Sequence, residues 1–136
     1  RVETKAPLRL QFPIGMRVPL HCSASGKLYL STLTKNRREA VVSRLNMERY
    51  AINTITNPDD LLKEIAKIAK QQIAIDNEEL YDDVVAIAAP IKDKQGRFYS
   101  SLAIQAPASR VSINDVEKYT PDLREAANEL ARLAEG

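Results

Sequence analysis

Hydrophobic and polar residues alternate near the start of the chain. The apolar positions are Leu8, Leu10 and Phe12, and the polar positions between them are Arg9 and Gln11. A period of two is typical of a strand that buries one face. The pattern therefore predicts an early strand with one apolar side.

Three later segments also predict strands. Residues 73–76 form a short run that ends in an acid, and residues 84–91 are apolar and rich in β-branched side chains. Residues 97–106 follow a polar turn in which Gly96 can adopt a positive φ. The last two segments therefore predict a β-hairpin.

Capping residues and helical spacing predict two short helices after the first strand. Ser23 or Ser25 can cap a helix over residues 24–33. Thr34 can cap the next helix, which contains the apolar residues that start at Ala40. We expect these two helices to be joined tightly.

Two longer amphipathic helices are predicted further along the chain. Asn57, followed by Pro58 and two acids, is a strong start signal, and the apolar residues after it recur with helical spacing. A second apolar stripe begins after Thr120 and Pro121 and continues to Ala134. The order of elements indicates an α+β domain with a mostly antiparallel sheet and helices packed on it.

The composition bounds the class of protein. A chain of 136 residues with 44% hydrophobic content fits one globular domain with a sizeable core. Its 20 basic and 18 acidic residues are scattered, so we do not expect this domain itself to bind nucleic acid. The apolar runs are too short to cross a membrane, and no signal peptide is recognisable. Because the chain starts at Arg1 in mid-pattern, we expect it to be a piece of a longer protein.

Few residues of this chain suggest metal, redox or nucleophilic chemistry. Cys22 is the one cysteine and His21 the one histidine, so neither a disulfide nor a zinc site is predicted, and a reducing cytoplasm is favoured. We interpret Cys22 as buried filler because adjacent side chains of an extended segment point apart. Gly26 and Lys27 are similar to the end of a phosphate loop, but the other residues of that motif are missing.

The acidic residues 76–79 follow a predicted strand and allow three interpretations. They could bind a metal, act as a general acid and base, or form a solvated loop. Adjacent carboxylates in a loop are usually solvated, so we expect no metal and instead one carboxylate at the rim of a pocket.

The two strands of the hairpin present a face of small side chains. Alternation places Ala86 and Ala88 on one face of the first strand, and Ala103 and Gln105 on one face of the second. Such a face leaves volume that is filled either by a closely packed helix or by a ligand. The pattern alone leaves both possibilities open.

A run of small polar residues precedes the first predicted helix. Residues 19–27 place several backbone N–H groups at a helix N-terminus, where the helix dipole favours an anion, and such a turn can receive a small carboxylate. If the turn at residues 22–25 covers the alanine face, the space between them is a ligand pocket.

The ordered combination of these motifs resembles a known family. Its segments are Val18-Pro19-Leu20-His21-Cys22-Ser23-Ala24-Ser25-Gly26-Lys27, Thr54-Ile55-Thr56, Asp76-Asn77-Glu78-Glu79, Val85-Ala86-Ile87-Ala88-Ala89-Pro90-Ile91 and Ser101-Leu102-Ala103-Ile104. In this order they are similar to the C-terminal effector-binding domain of the IclR family of bacterial transcription regulators. The resemblance covers nearly all of residues 1–136 and implies a GAF-like fold. It also implies a preceding winged helix-turn-helix domain that binds DNA and is absent from this chain.

The resemblance implies that a small organic acid or an aromatic metabolite binds between the sheet and the first helix. Together with the turn itself, it predicts the ligand-binding residues Leu10, Val18, Ser23, Ala24, Ser25, Gly26, Asp76, Val84, Ala86, Ala103 and Gln105. Leu10 and Val18 would supply apolar wall. Some relatives have Cys at the Ala86 position and Ser at Ala103 and Gln105, so the effector of a relative is not assumed to fit here.

We therefore expect a non-catalytic sensor without cofactor or metal, located in the cytoplasm and assembled as a homodimer or homotetramer. Effector binding would change how attached DNA-binding domains meet their half-sites, with DNA contacted only through those domains. Two alternatives remain. One is a GAF-like dimerisation module without ligand, and the other is a small hydrolytic enzyme that uses Cys22 or the pair Asp76 and Glu79.

Overall fold

The computed structural model describes the backbone of residues 2–3, 9–11 and 19–135 and the side chains of residues 19–134. The strands of this part form one antiparallel sheet in the order β1-β2-β5-β4-β3. They are β1 (Val2–Glu3), β2 (Arg9–Gln11), β3 (Ala74–Asn77), β4 (Val84–Lys92) and β5 (Phe98–Pro107). The predicted α+β architecture with an antiparallel sheet is confirmed.

Helices pack on both faces of the sheet. They are α1 (Ala24–Ser31), α2 (Lys35–Val42), α3 (Pro58–Gln71), α4 (Ile113–Glu117) and α5 (Thr120–Glu135). The four predicted helices are present, and α4 was not predicted because five residues are too few to show a helical period. None of the described helices has the length and apolar character that a bilayer crossing requires.

Side-chain caps set the starts of the helices. The Ser23 hydroxyl accepts a hydrogen bond from the Gly26 N–H, which settles the choice between Ser23 and Ser25. Thr34 and Asn57 cap α2 and α3 in the same way, as predicted. These interactions span two or three residues, so the sequence pattern was sufficient to predict them.

The hairpin of β4 and β5 forms the centre of the sheet. Its register runs from Val84 opposite Pro107 to Lys92 opposite Phe98. Gly96 has a φ of 77° in the connecting turn, as the pattern predicted. The hairpin aligns Ala86 with Gln105 and therefore fixes which side chains share a face.

The two faces of the sheet differ in the size of their side chains. The face covered by α4 and α5 is the larger core, whose buried residues include Ile87, Leu102, Ile104, Val116 and Leu123. The face covered by α1 and α3 presents Ala74, Ala86, Ala88 and Ala103, which form one buried cluster with Ala24 and Leu28 of α1 and Ile68 of α3. The predicted face of small side chains is therefore present, and α1 lies on it.

Candidate functional site

Helix α1 fills one part of the alanine face and leaves another part incompletely covered. Ala88 is fully buried, so the closely packed helix accounts for the space above it. Ala86 and Ala103 keep 6% and 8% of their surface exposed, and Gln105 beside them is half-buried. Of the two interpretations of the small side chains, helix packing thus explains Ala88. Ala86, Ala103 and Gln105 are the members of this face that α1 covers less completely.

A cross-strand row connects this part of the face to the acidic run. Asp76 on β3 pairs with Ala86 on β4, and Ala86 pairs with Gln105 on β5. Paired residues of adjacent strands share a face. Val84 lies on this face too because it is two residues from Ala86, and it is half-buried. The structure therefore brings Asp76, Val84, Ala86, Ala103 and Gln105 together.

The turn before α1 is held by its own hydrogen bonds. The Ser23 hydroxyl donates to the Pro19 carbonyl at 2.7 Å while it accepts from the Gly26 N–H at 3.0 Å. The absence of a side chain at Gly26 allows this approach, because a Cβ there would lie 2.8 Å from Leu20 Cα and 2.9 Å from Pro19 O. Ser23 and Gly26 thus shape the turn, and Ser25 in the first turn of α1 is half-buried.

Asp76 is a buried carboxylate, only 4% exposed. One of its oxygens accepts hydrogen bonds from the N–H groups of Glu79 and Leu80, at 2.8 and 3.4 Å, so it closes the turn that follows β3. Within residues 19–134, no three side chains of His, Cys, Asp or Glu are grouped closely enough to hold a metal ion. The acidic run is therefore a structured turn, with Asp76 on the α1 side of the sheet.

Lys27 forms a buried ion cluster that was not predicted from the sequence. Its side chain is completely inaccessible, and its Nζ lies 2.7 Å from Glu79 Oε1 and 3.0 Å from Glu64 Oε2. It also donates to the Ile75 carbonyl at 2.6 Å. One side chain of α1 thus connects α3, β3 and the turn after β3. No local pattern signalled this, because the partners lie 37 to 52 residues away.

A second set of hydrogen bonds attaches the 45–57 loop to the site. His21 donates through Nε2 to the Glu48 carbonyl at 2.8 Å. The Thr54 hydroxyl donates to the Glu79 carbonyl at 2.6 Å and accepts from the Ala51 N–H at 2.8 Å. The single histidine is therefore a structural residue, and Glu79 is held from two sides.

Two predicted site residues are not among those that the structure brings together. Leu10 pairs with Ile104 of β5 in the register of the sheet. The structure describes no side chain of β2, so the expectation that Leu10 supplies apolar wall stays a prediction. Val18 lies outside the described residues.

Cys22 is a buried thiol next to the acids. Burial, followed by the negative charges of Asp76 and Glu79, raises the pKa of Cys22 to about 12. A thiol with such a pKa is overwhelmingly protonated near neutral pH, and the nucleophilic form of cysteine is the thiolate. The arrangement agrees with the interpretation of Cys22 as buried filler.

Comparison with known proteins assigns the family. The family model described as "Bacterial transcriptional regulator IclR C-terminal" matches residues 1–132. The chain belongs to the IclR family of bacterial transcriptional regulators. It is a C-terminal effector-binding domain of this family, which confirms the resemblance seen in the sequence.

Individual relatives of this IclR-family domain agree in sequence and in fold. The probable transcriptional regulator SauR of Cupriavidus necator is 36% identical over 132 residues, which are 97% of this chain and 52% of that protein. A regulator structure from Rhodococcus sp. RHA1 superimposes with a TM-score of 0.82 at 28% identity, covering 88% of this chain and 48% of that one. The chain spans about half the length of the curated relatives it matches.

One structural relative of the IclR-family domain contains a small molecule. It is a double mutant of the inducer-binding domain of PobR from Acinetobacter, in complex with 3-hydroxybenzoic acid. The TM-score is 0.80 at 28% identity, and the match covers 88% of this chain and 71% of that domain. Domains of this fold therefore include one that holds an aromatic hydroxy acid.

The buried carboxyl of Asp76 predicts a pH-dependent stability of the IclR-family domain. Burial, together with the charge of Glu79, raises the pKa of Asp76 to about 6, against the opposing effects of its backbone hydrogen bonds and Lys27. The folded domain therefore favours the protonated carboxyl of Asp76. This preference contributes fully to the free energy of unfolding below about pH 4, the pKa in an unfolded chain, and the contribution is lost as the pH rises through about 6. We expect the wild type to lose about 2 kcal/mol relative to Asp76→Asn between pH 4 and pH 7.

Urea unfolding of both proteins at pH 4 and pH 7 measures this difference. Asparagine retains a carbonyl that can accept from the Glu79 N–H, so the comparison isolates the charge. Glu39→Gln, at an exposed position of α2, serves as the control and is expected to leave the pH dependence of the wild type unchanged. A pH dependence that is identical in wild type and Asp76→Asn would contradict the prediction.

Proposed function

We propose that this domain senses a small organic acid or aromatic metabolite without catalysing a reaction. In the proposed complete protein, a winged helix-turn-helix domain precedes it and contacts DNA, and the protein acts in the cytoplasm as a homodimer or homotetramer. Support comes from the family match over residues 1–132 and from the ligand in the related PobR domain.

The observation that supports effector binding most directly is the incompletely covered alanine face. Ala86 and Ala103 form a floor without bulky side chains, next to the half-buried Gln105 and the buried Asp76. The N-terminus of α1, an eight-residue helix, lies above this sheet and favours a negative group through its dipole. Small side chains, convergent polar groups and a positive helix end are features of a small-molecule pocket.

The proposed binding residues belong to two elements that a ligand could bridge. Ser23, Ala24, Ser25 and Gly26 lie at the start of α1, and the remaining described members lie on the sheet. A ligand held by both elements would favour one arrangement of α1 relative to the sheet, and it would shift the population of regulator states by its difference in affinity for them. Leu10 and Val18 remain part of the proposed wall.

An enzymatic function is less well supported than sensing. A nucleophilic role for Cys22 would require a thiolate, whereas burial and the neighbouring acids favour the protonated thiol. Glu79 is engaged by Lys27 and by the Asn77 N–H, and Asp76 closes its turn. A ligand-free dimerisation module remains the alternative that the binding experiment must exclude.

Calorimetric titration with a set of small acids tests the proposal. The set contains 3-hydroxybenzoate, benzoate, lactate and propionate, each paired with its primary amide. We expect at least one acid to bind the wild type, and we expect Ser25→Trp to weaken that binding by about tenfold or more, because an indole at the start of α1 fills the proposed space. Ser43→Trp, at the exposed end of α2, is the matched control and should leave binding unchanged.

The outcomes separate the two functions. Binding that is lost in Ser25→Trp and kept in Ser43→Trp supports an effector site at α1. If every member of the set fails to bind, the ligand-free module becomes the better description. If Ser25→Trp binds as tightly as the wild type, the ligand lies elsewhere and the proposed site is wrong.

A further inference from the structure

Three acidic side chains and one lysine lie close together on the α1 side of the sheet. The Nζ of Lys27 is 2.7 Å from a carboxylate oxygen of Glu79 and 3.0 Å from one of Glu64. Asp76 is the third acid, and it lies close enough for its charge, like that of Glu79, to act on Cys22. Cys22 directly precedes the cap of α1, so this group with its surplus of acids lies beside the proposed binding turn.

Asp76 is the acid of this group that lacks an ion pair among the described side chains. Its Oδ1 accepts from the N–H groups of Glu79 and Leu80, and none of the described residues donates to its Oδ2. The ammonium of Lys27 has three N–H donors, which are taken by Glu79, Glu64 and a carbonyl. Lys27 therefore has no donor left for Asp76.

An effector acid at the start of α1 brings one more negative charge to this group. Asp76 pairs with Ala86, which belongs to the floor of the proposed site, so an acid group between that floor and α1 lies beside Asp76. Two carboxylates that share a site of low polarity repel each other. A single proton between them removes the repulsion, because a protonated carboxyl is a hydrogen-bond donor.

We propose that the effector acid binds together with one proton, which Asp76 holds on Oδ2 and donates to a carboxylate oxygen of the effector. The proton comes from the solvent, and no covalent bond of the effector changes. The oxyanion lies between the start of α1 and Asp76, where the helix dipole also favours it. The domain thus responds to an acid and to pH together, with tighter binding at lower pH. This inference rests on the proposed function and adds its regulation.

The titration of the free domain sets the size of this effect. Burial raises the pKa of Asp76 to about 6, so its carboxyl is mostly ionised above pH 7 and a proton must enter when the acid binds. The carboxyls of the probe acids have a pKa of about 4 and stay ionised above pH 5.5. Because each acid bound takes up a proton, affinity for acids should fall about 30-fold or more between pH 5.5 and pH 8.

Other titratable groups near Asp76 have to be separated from it. Burial raises the pKa of Cys22 to about 12, so the thiol keeps its proton over this range. Lys27, Glu64 and Glu79 are held in their ion cluster. His21 is bonded to the Glu48 carbonyl, and histidine is a side chain that can change its charge between pH 5 and 8. His21 is therefore the group that needs its own control variant.

Calorimetric titration at pH 5.5 and pH 8 tests the coupling. The probes are the acids of the set above and their primary amides, titrated into wild type and Asp76→Asn. In the wild type, we expect affinity for the bound acid to fall about 30-fold or more, and affinity for its amide to change by less than about threefold. Asparagine donates at every pH, so Asp76→Asn should vary by less than about threefold and bind the acid more tightly than the wild type at pH 8.

The number of protons taken up gives a second measurement, which needs no variant. Titrations of the wild type at pH 7 in HEPES and in Tris, which differ in their heats of ionisation, should show an uptake of about one proton per acid bound. Two variants serve as controls and should keep the pH dependence of the wild type. Asp122→Asn makes the same chemical change at an exposed position of α5, and His21→Gln retains a donor for the Glu48 carbonyl.

The results distinguish this inference from the function on which it rests. If the wild type binds none of the acids at pH 5.5, the proposed function fails. If an acid binds equally well at both pH values and without proton uptake, the coupling is wrong while effector binding stands. If Asp76→Asn keeps the pH dependence, or His21→Gln abolishes it, the proton does not reside on Asp76 and the inference is wrong.

Discussion

Replacing Lys27 with methionine is expected to lower the free energy of unfolding by about 3–5 kcal/mol, the usual cost of removing one partner from a buried ion pair. The substitution leaves the carboxylate of Glu79 buried without its cation and removes the donor to the Ile75 carbonyl. Glu64 is affected less because its side chain is 26% exposed. Urea denaturation of wild type and Lys27→Met, followed by fluorescence of tyrosine or by circular dichroism, measures the difference.

Two further variants identify the cause of the loss. Lys63→Met removes an exposed lysine of α3 and should change stability by no more than about 0.5 kcal/mol. Adding Glu79→Gln to Lys27→Met removes the uncompensated charge and should restore part of the lost stability. A Lys27→Met protein as stable as the wild type would show that the ion cluster does not stabilise the fold.

Replacing Gly26 with alanine is expected to destabilise the domain by about 2 kcal/mol, although alanine is normally the better residue inside a helix. The new Cβ would lie 2.5 Å from the Ser23 hydroxyl, 2.8 Å from Leu20 Cα and 2.9 Å from Pro19 O. Two of these neighbours are backbone atoms, so the turn itself would have to move. Thermal and urea unfolding of Gly26→Ala would measure the loss.

Gly96 provides the control for this substitution. A Cβ at Gly96 meets no atom within 4 Å, but its φ of 77° disfavours other residues. Gly96→Ala should therefore cost about 1 kcal/mol through the backbone alone. A Gly26→Ala protein that is more stable than the wild type would show that the turn before α1 adapts without strain.

Gly26 and Lys27 connect the proposed effector site to the rest of the domain. Gly26 keeps the turn against the start of α1, and Lys27, the next residue, joins α1 to α3 and to the turn after β3. The Glu79 carbonyl in turn accepts from Thr54 in the loop before α3. A ligand that moves α1 would thus act on the contacts of Lys27 and Glu79, which offers a physical route from effector binding to other surfaces of a regulator.

Local patterns were sufficient for most elements of this chain. The caps at Ser23, Thr34 and Asn57, and the hairpin turn at Gly96, each depend on residues within a few positions of one another. Alternation likewise predicted the alanine face, because its two strands are neighbours in the sequence and in the sheet. The family resemblance was equally accessible, since it depends on the order of short motifs.

Contacts between distant segments required the tertiary structure. The residues next to Lys27 in the sequence do not indicate that it is buried. Its burial as a cation depends on its ion pairs with Glu64 and Glu79, which lie far from it along the chain. The register of β2 against β5 likewise placed Leu10 opposite Ile104 and Arg9 in the row with Asp76. Local patterns in the chain were thus enough to predict the four longer helices, their caps, the central hairpin and the small side chains of one sheet face. The folded arrangement was needed to show which charges are neutralised and which strand positions share that face, because both depend on pairings across long loops rather than on neighbouring residues.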